Sequence, residues 1–400
     1  MIDERVAKMI DERAPQSPFF FYRGSKIQQT LDGLSALSAD ASIYYAVKAN
    51  PYVPLIRAVG AHPSITGYEI ASVGEAKEVL KSGETDLRRV IYTNPAKTVD
   101  DLKFVIGHNI SCINLESMLE AHRISNIASS HGKVQDVLVR VNTNLEVHDA
   151  QVELTSPNEP SAFGIDEDQA IEAIARIAKL PGINLRGIHT YAATGILKPH
   201  VLVESVKYAL NLSKLIEEKT RLSFDKLDVG GGFGVDYEGD SVFDVGAYHS
   251  LFRELIGTHN SANREIVLEL GRHIVAEAGY FVATIVDIKK SRGMKVMTLD
   301  AGTNAHRRPY TLKKEYPIQI IPQHVPDVYD GQPAVHNEEV CIRGPLCTSA
   351  DKVVIKPRYI NDARVGDLLV MSKAGAYGYS MSHKGFLSND KITEMFIQEE

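Results

Sequence analysis

Three residue groups in this sequence could do chemistry together: a lysine, a glycine run and a glutamate. Lys48 ends the run Tyr44-Tyr45-Ala46-Val47-Lys48, and Ala49-Asn50-Pro51 turns the chain immediately after it. An ammonium at the end of an apolar strand is costly unless it snorkels into solvent or is used. Burial lowers a lysine's pKa and makes its amine nucleophilic, which is what Schiff-base chemistry on an aldehyde requires. Gly230-Gly231-Gly232, with Gly234 close behind, would let backbone N–H groups approach an anion. Glu269 lies in the segment Glu269-Leu270-Gly271-Arg272, also at the end of an apolar run.

Strand ends are what must bring these three groups together. Eight short apolar runs read as strands, at 43–47, 67–71, 89–93, 110–114, 136–141, 185–190, 226–229 and 265–269. Most are separated by helix-like segments. The clearest is Asp166–Leu180, where Ile171, Ile174, Ala175 and Ala178 recur at helical spacing, and Asp166 with Gln169 resembles a capping box. Apolar strands alternating with amphipathic helices predict a parallel sheet covered by helices. Eight units over about 250 residues suit a (β/α)8 barrel, with a doubly wound open sheet as the alternative. In a barrel, Lys48 follows strand 1, the glycines follow strand 7 and Glu269 ends strand 8, all at the face where such folds do their chemistry. Beyond about residue 275 the pattern turns β-rich, with runs at 280–288, 295–299, 316–321, 339–343 and 367–371 that predict a second, all-β domain. Phe19-Phe20-Phe21-Tyr22 has no place in the barrel and could add a strand to that domain. The segment 142–164 is the least regular and could cover a site.

Composition excludes several function classes. The chain has 400 residues, 44% hydrophobic and 24% charged, with a formal net charge of -7 and only short, isolated Lys-Lys pairs, which argues against a nucleic-acid surface. No stretch is long and apolar enough for a membrane span, and Met1–Ala14 lacks the apolar core of a secretory signal. Cys112, Cys341 and Cys347 form neither a disulfide framework nor a metal motif, and the histidines show no ligand spacing, so no metal site and a reducing cytoplasmic location are expected.

The motifs YAVKAN (45–50), GGGFG (230–234), ELGR (269–272), DAGTN (300–304), GPLCTSAD (344–351) and GAYGYSMS (375–382) occur in this order. With them the chain resembles, over nearly its whole length, the fold-type III pyridoxal 5'-phosphate (PLP) decarboxylases, which include diaminopimelate and ornithine decarboxylases. The resemblance implies a PLP-binding (β/α)8 TIM barrel over 25–273. It also implies a β-sandwich or β-barrel domain, as in alanine racemase, from 1–24 and 274–400, and a homodimer whose chains share each active site. It implies residue roles as well. Lys48 would carry PLP covalently, and Glu269 would pair with the pyridine nitrogen and strengthen the ring as an electron sink. Gly230, Gly231, Gly232, Gly271, Arg272 and Thr194 would hold the phosphate. Tyr377 would reach the phosphate, and Cys347 would donate a proton, both across the dimer interface. Arg308, Thr348 and Asp351 would face substrate. Glu69, where the family has Asp, could pair with Lys48 in the absence of cofactor.

Departures from the family bear on substrate. In His189-Thr190-Tyr191-Ala192-Ala193-Thr194, Tyr191 stands where a histidine stacks on the cofactor, and Thr194 replaces a serine. Ala162 replaces a lysine. Thr348 replaces the acid that diaminopimelate decarboxylases set against a distal amino group, leaving a neutral hydroxyl. His306, Arg307 and Arg308 suggest a cationic cluster suited to a polycarboxylate. The ending SMSHKGFLSND is similar to branches that act in siderophore or antibiotic biosynthesis. A decarboxylase of a citryl–diaminopropionate-type conjugate is therefore expected. Diaminopimelate decarboxylase is the first alternative, and a decarboxylase of another basic or carrier-linked amino acid the second. A racemase is disfavoured by GPLCTSAD, and a non-catalytic regulator by the intact Lys48, glycine loop and Glu269.

Overall fold

The computed structural model describes residues 4–13, 16–146, 152–153, 160–260, 262–323 and 325–399, so residues 147–151 and 154–159 of the irregular segment 142–164 lie outside the described residues. The chain divides into two compact units. One comprises residues 28–235 and 241–274, and the other residues 1–27, 236–240 and 275–400.

In the first unit, eight parallel strands run at Ser42–Ala46, Gly67–Ile70, Val90–Thr93, Cys112–Leu115, Gln135–Asn142, Ile183–His189, Lys226–Asp228 and Glu265–Leu270. Each pairs with the next, and the last pairs with the first through Glu269 opposite Tyr44, so the ring closes and the open-sheet alternative is excluded. The strands are short, and four of the eight are buried at every position, being covered by side chains on one face and helices on the other. Gly187 lets two neighbouring strands approach: a Cβ there would lie 1.8 Å from the Lys226 carbonyl oxygen.

Helices start where strands stop, and the caps are visible. Ser72 accepts from Glu75 N–H, Ser117 accepts from Glu120 N–H, and Thr98 with Asp101 forms a reciprocal capping box. The helix expected after Asp166 runs Glu167–Ile177, with two corrections. Asp166 makes no capping bond, because its carboxylate accepts from Asn142 Nδ2 at 3.0 Å. The buried face is Ala170, Ala173, Ile174 and Ile177, so three of the four expected positions are displaced by one residue. Helical side chains lean toward the N-terminus, and small alanines fit under that lean as well as isoleucines do.

The second unit is built on one eight-stranded sheet. Its long strand, Gly279–Ser291, pairs with Phe19–Arg23 and Leu368–Met371 in its first half and with Met294–Leu299 in its second, with a register shift between Ile285 and Asp287. Phe19–Arg23 does join this sheet, antiparallel to Gly279–Ser291 and parallel to Thr393–Ile397. Ile318–Ile321 and Val335–Arg343 occupy the other expected runs. Arg358–Ala363 and Thr393–Ile397 were not expected. Arg358–Ala363 is polar at most positions and Thr393–Ile397 offers only Met395-Phe396-Ile397, and each pairs on only one side, so neither leaves a long apolar run in the sequence.

Candidate active site

Lys48 sits in a 3-10 turn, Val47–Ala49, directly after the first barrel strand. Its Nζ donates to Glu69 Oε2 at 2.7 Å, the pairing expected without cofactor. Glu69 ends the second strand fully buried, and its other oxygen, Oε1, has no hydrogen-bond partner among the described residues. A buried acceptor left open in this way marks a place where another group can bind.

Glu269, on the last strand, belongs to a buried polar cluster. Asn114 Nδ2 donates to Thr93 Oγ1 at 2.9 Å and to Asp228 Oδ2 at 3.1 Å, while Thr93 Oγ1 donates to Glu269 Oε1 at 3.3 Å. Burial, then the neighbouring Asp228 and Glu69 carboxyls, push the Glu269 carboxyl well above its usual range. Burial pushes Asp228 up to about 6 against the pull of the Gly230 N–H. Two acids so placed each disfavour the other's ionisation. His189 is fully buried with neither ring nitrogen hydrogen-bonded among the described residues, and burial followed by Arg140 holds its pKa far below the ordinary value. Ligand atoms of His189, Asp228 and Glu269 lie within 4.8 Å of one another, close enough to hold a metal ion. The sequence does not reveal this trio, because its members sit on three separate strands.

The glycine loop is bare for a reason. A Cβ on Gly230 would lie 2.4 Å from the Tyr191 ring, one on Gly231 would lie 2.0 Å from the Glu269 carbonyl, and one on Gly232 would lie 2.8 Å from the Ala193 carbonyl. Gly230 and Gly232 also hold φ of +66° and +117°, conformations that other residues rarely adopt. Gly271 packs the end of the last strand against the Lys48 turn, with its Cβ position 2.8 Å from Ala49 Cβ. Arg272 is buried, and its Nη2 donates to Thr194 Oγ1 at 3.4 Å. Backbone amides of a glycine loop, a buried guanidinium and a hydroxyl are the kinds of donor an anion site uses. Lys48, Tyr191, Thr194, Gly230, Gly231, Gly232, Glu269, Gly271 and Arg272 all lie on strand ends or the turns that follow them.

The remaining predicted residues belong to the sheet unit. Arg308 opens a short helix, Arg308–Leu312, and its guanidinium lies 4.9 Å from the centroid of the Tyr377 ring. Tyr377 is held at φ +56°. The loop 344–351 exposes Cys347, Thr348 and Ser349, whereas Asp351 is buried. The Asp351 carboxylate accepts from Thr303 N–H at 2.6 Å, Thr303 Oγ1 at 3.0 Å and Leu346 N–H at 2.8 Å. Gly302 and Gly344 leave room for it, since a Cβ on either would come within 2.1 Å of that carboxylate. The expected His306–Arg307–Arg308 cationic cluster is corrected here. His306 is fully buried among Phe20, Phe281 and Tyr316, and burial followed by Arg308 lowers its pKa to about 3, so it is neutral. The two arginines also part company: Arg308 stacks on Tyr377, while Arg307 lines a separate cavity with Thr348.

Residues 25–276 match the family described as pyridoxal-dependent decarboxylase, pyridoxal binding domain. The chain is 30% identical over 357 residues to the 2-[(L-alanin-3-ylcarbamoyl)methyl]-2-hydroxybutanedioate decarboxylase of Staphylococcus aureus, covering 89% of this chain and 87% of that protein. It is 29% identical over 384 residues to the diaminopimelate decarboxylase of Neisseria meningitidis serogroup A, covering 95% and 89%. The crystal structure of Helicobacter pylori diaminopimelate decarboxylase complexed with L-lysine superposes with a TM-score of 0.86 at 25% identity, covering 98% of this chain and 94% of that one. The site fits the cofactor this family uses: an amine for an aldehyde, a bare loop with a buried arginine for a phosphate, and a buried carboxyl pair for a ring nitrogen. The chain belongs to the pyridoxal-dependent decarboxylase family, and is a PLP-dependent carboxy-lyase built on a (β/α)8 barrel with a second, β-sheet unit.

Proposed function

We propose that this enzyme removes carbon dioxide from an amino-acid conjugate whose distal part is anionic, of the citryl–diaminopropionate kind. One observation carries the choice of substrate. The loop 344–351 contains a single acid, Asp351, and that carboxylate is turned inward and consumed by Thr303 and Leu346. Its exposed tip, Cys347-Thr348-Ser349, is neutral, so a distal ammonium finds no carboxylate on this loop. The Staphylococcus aureus relative, named for an aminoacyl conjugate of a hydroxybutanedioate, supports the same reading.

In the proposed mechanism Lys48 would hold the cofactor through its amine, and the Gly230–Gly232 loop, Gly271, Arg272 and Thr194 would hold its phosphate. The cofactor, when bound, would supply an electron sink for the pair left behind when carbon dioxide departs. Glu269, coupled to Asp228, would pair with the ring nitrogen, and Tyr191 would offer an aromatic face in place of the family's histidine. Glu69 receives the Lys48 ammonium whenever the amine is released. Cys347 delivers the proton that replaces the carboxylate, and we infer that it does so across a homodimer interface, with Tyr377 crossing likewise. Asp351 acts by fixing the loop that carries Cys347 and Thr348, and Arg308 by fixing Tyr377. A reducing cytoplasm would keep Cys347 a thiol.

Carbon dioxide release decides the matter. The citryl–diaminopropionate conjugate, meso-diaminopimelate and an L-glutamyl-carrier thioester are offered to the same holoenzyme. The conjugate should give the highest kcat/KM by about tenfold or more, the worth of one matched charge contact. Turnover of diaminopimelate at an equal or higher kcat/KM sinks the proposal.

A further inference from the structure

A cavity of about 630 Å³ lies in the sheet unit, within the range of small-molecule sites, which runs from roughly 300 to 1,000 Å³. Its lining includes Arg307, Tyr310, Thr348, His383, Lys384 and Phe386, and contains no acidic residue. Three of these can give a hydrogen bond to an anion from a charged or ionisable nitrogen. The segment 382–386 forms one wall, and its position is fixed by Ser382. The Ser382 hydroxyl donates to the Ala305 and Gly378 carbonyls, each at 2.8 Å, and accepts from Arg307 N–H at 3.0 Å. The same contacts that seat this wall therefore hold the Arg307 backbone against it. His383 N–H donates to the Thr303 carbonyl at 3.2 Å, a second tie. The Lys384 ammonium is held 4.0 Å from the Tyr379 ring centroid, and Arg307 Nε is buried without a hydrogen-bond partner among the described residues. Partial burial lowers the Lys384 pKa, opposed by Glu394 and assisted by Lys391.

We propose that this cavity is a polycarboxylate-recognition site in which Lys384 and Arg307 supply paired positive charges, His383 a hydrogen bond, and Tyr310 and Phe386 apolar walls. These residues then determine specificity for the distal end of the conjugate, an assignment that rests on the function proposed above. Two cations lining one cavity favour a ligand with two or more carboxylates over one with a single carboxylate. Thr348, at the cavity edge, is suited to the hydroxyl and carboxylates of such a group and unsuited to an ammonium.

The test uses citrate as a probe of the cavity and the conjugate as a probe of function. Citrate binding to the holoenzyme is measured by calorimetry, with acetate at matched ionic strength as the comparison. Citrate should bind tightly enough to measure, acetate should not, and Lys384→Glu or Arg307→Gln should weaken citrate by about tenfold or more. Both variants should raise KM for the conjugate far more than they lower kcat. They should also reduce its kcat/KM advantage over the N-acetyl analogue, which lacks distal carboxylates, by about tenfold. Lys384 is exposed, so its substitution leaves the fold intact, and the cofactor's visible absorbance reports that the barrel site is loaded. Citrate binding no tighter than acetate, or citrate and conjugate parameters unmoved by both substitutions, overturns the proposal. If citrate binding depends on Lys384 but the conjugate is not turned over, the cavity stands as an anion site and the proposed function fails.

Discussion

At the scale of single residues, this protein keeps reactive groups in check by pairing or by burial. Lys48 rests on Glu69, which it must leave to react. Burial and mutual repulsion raise the Glu269 and Asp228 carboxyls above the range they would have in water. His306 makes the clearest prediction. Its pKa is about 3 in the fold against 6.5 when solvated, so the unfolded chain binds the extra proton across that window. Stability from this depressed base is therefore complete above pH 6.5 and is lost as pH falls toward 3. Between pH 6.5 and about pH 5 the loss is about 2 kcal/mol. In His306→Leu the thermal midpoint should fall less steeply with acidification than in the parent. Parallel pH profiles for the two proteins would contradict the assignment. None of this is legible in the sequence, where His306 stands beside two arginines and reads as a cation. Its neutrality comes from Phe20, Phe281 and Tyr316, whose positions in the chain give no hint that they surround it.

At the scale of elements, the strand ends carry the site, and glycine is what lets them converge. Gly231→Ala would place a methyl 2.0 Å from the Glu269 carbonyl oxygen, a backbone contact that no rotamer can relieve. The variant should bind cofactor weakly, measured as lost visible absorbance after gel filtration. Gly257→Ala supplies the contrast: this helical glycine is exposed and a Cβ there meets nothing within 4 Å, so stability should rise by about 0.5–1 kcal/mol. Cofactor retention by Gly231→Ala equal to that of Gly257→Ala would remove the steric argument. The barrel was readable because a strand buried on both faces must be apolar throughout, and all eight runs fall within two residues of the observed ends. The helix after Asp166 was readable in place but not in facing, because alanine serves either side. Arg358–Ala363 and Thr393–Ile397 were unreadable because strands paired on one side need no apolar run. The motifs located Lys48, the glycine loop and Glu269. They could not locate Asn114, Thr93 or Asp228, which matter only through contacts across the barrel.

For the whole molecule, the proposed division of labour has a direct consequence. If Lys48 and Cys347 serve one site from different subunits, chains carrying Lys48→Ala and chains carrying Cys347→Ala are each inactive alone. An equal mixture after subunit exchange should recover about a quarter of parental activity, since half the dimers are hybrids and each hybrid has one intact site. No recovery, with exchange verified by mass labels, would exclude sharing. The sheet unit has its own whole-chain property. Phe19–Arg23 lies between Gly279–Ser291 and Thr393–Ile397, so its two neighbours come from the last third of the chain and from its very end. Phe19, Phe20, Phe21 and Tyr22 are all buried there, each contributing on the order of 1.5–3 kcal/mol. During synthesis this strand leaves the ribosome well before either of the strands it pairs with. Until they emerge, four large apolar side chains have no sheet to join. Chains paused or cut short between residues 23 and 279 would therefore present it to chaperones, and its capture waits on segments far downstream in the sequence.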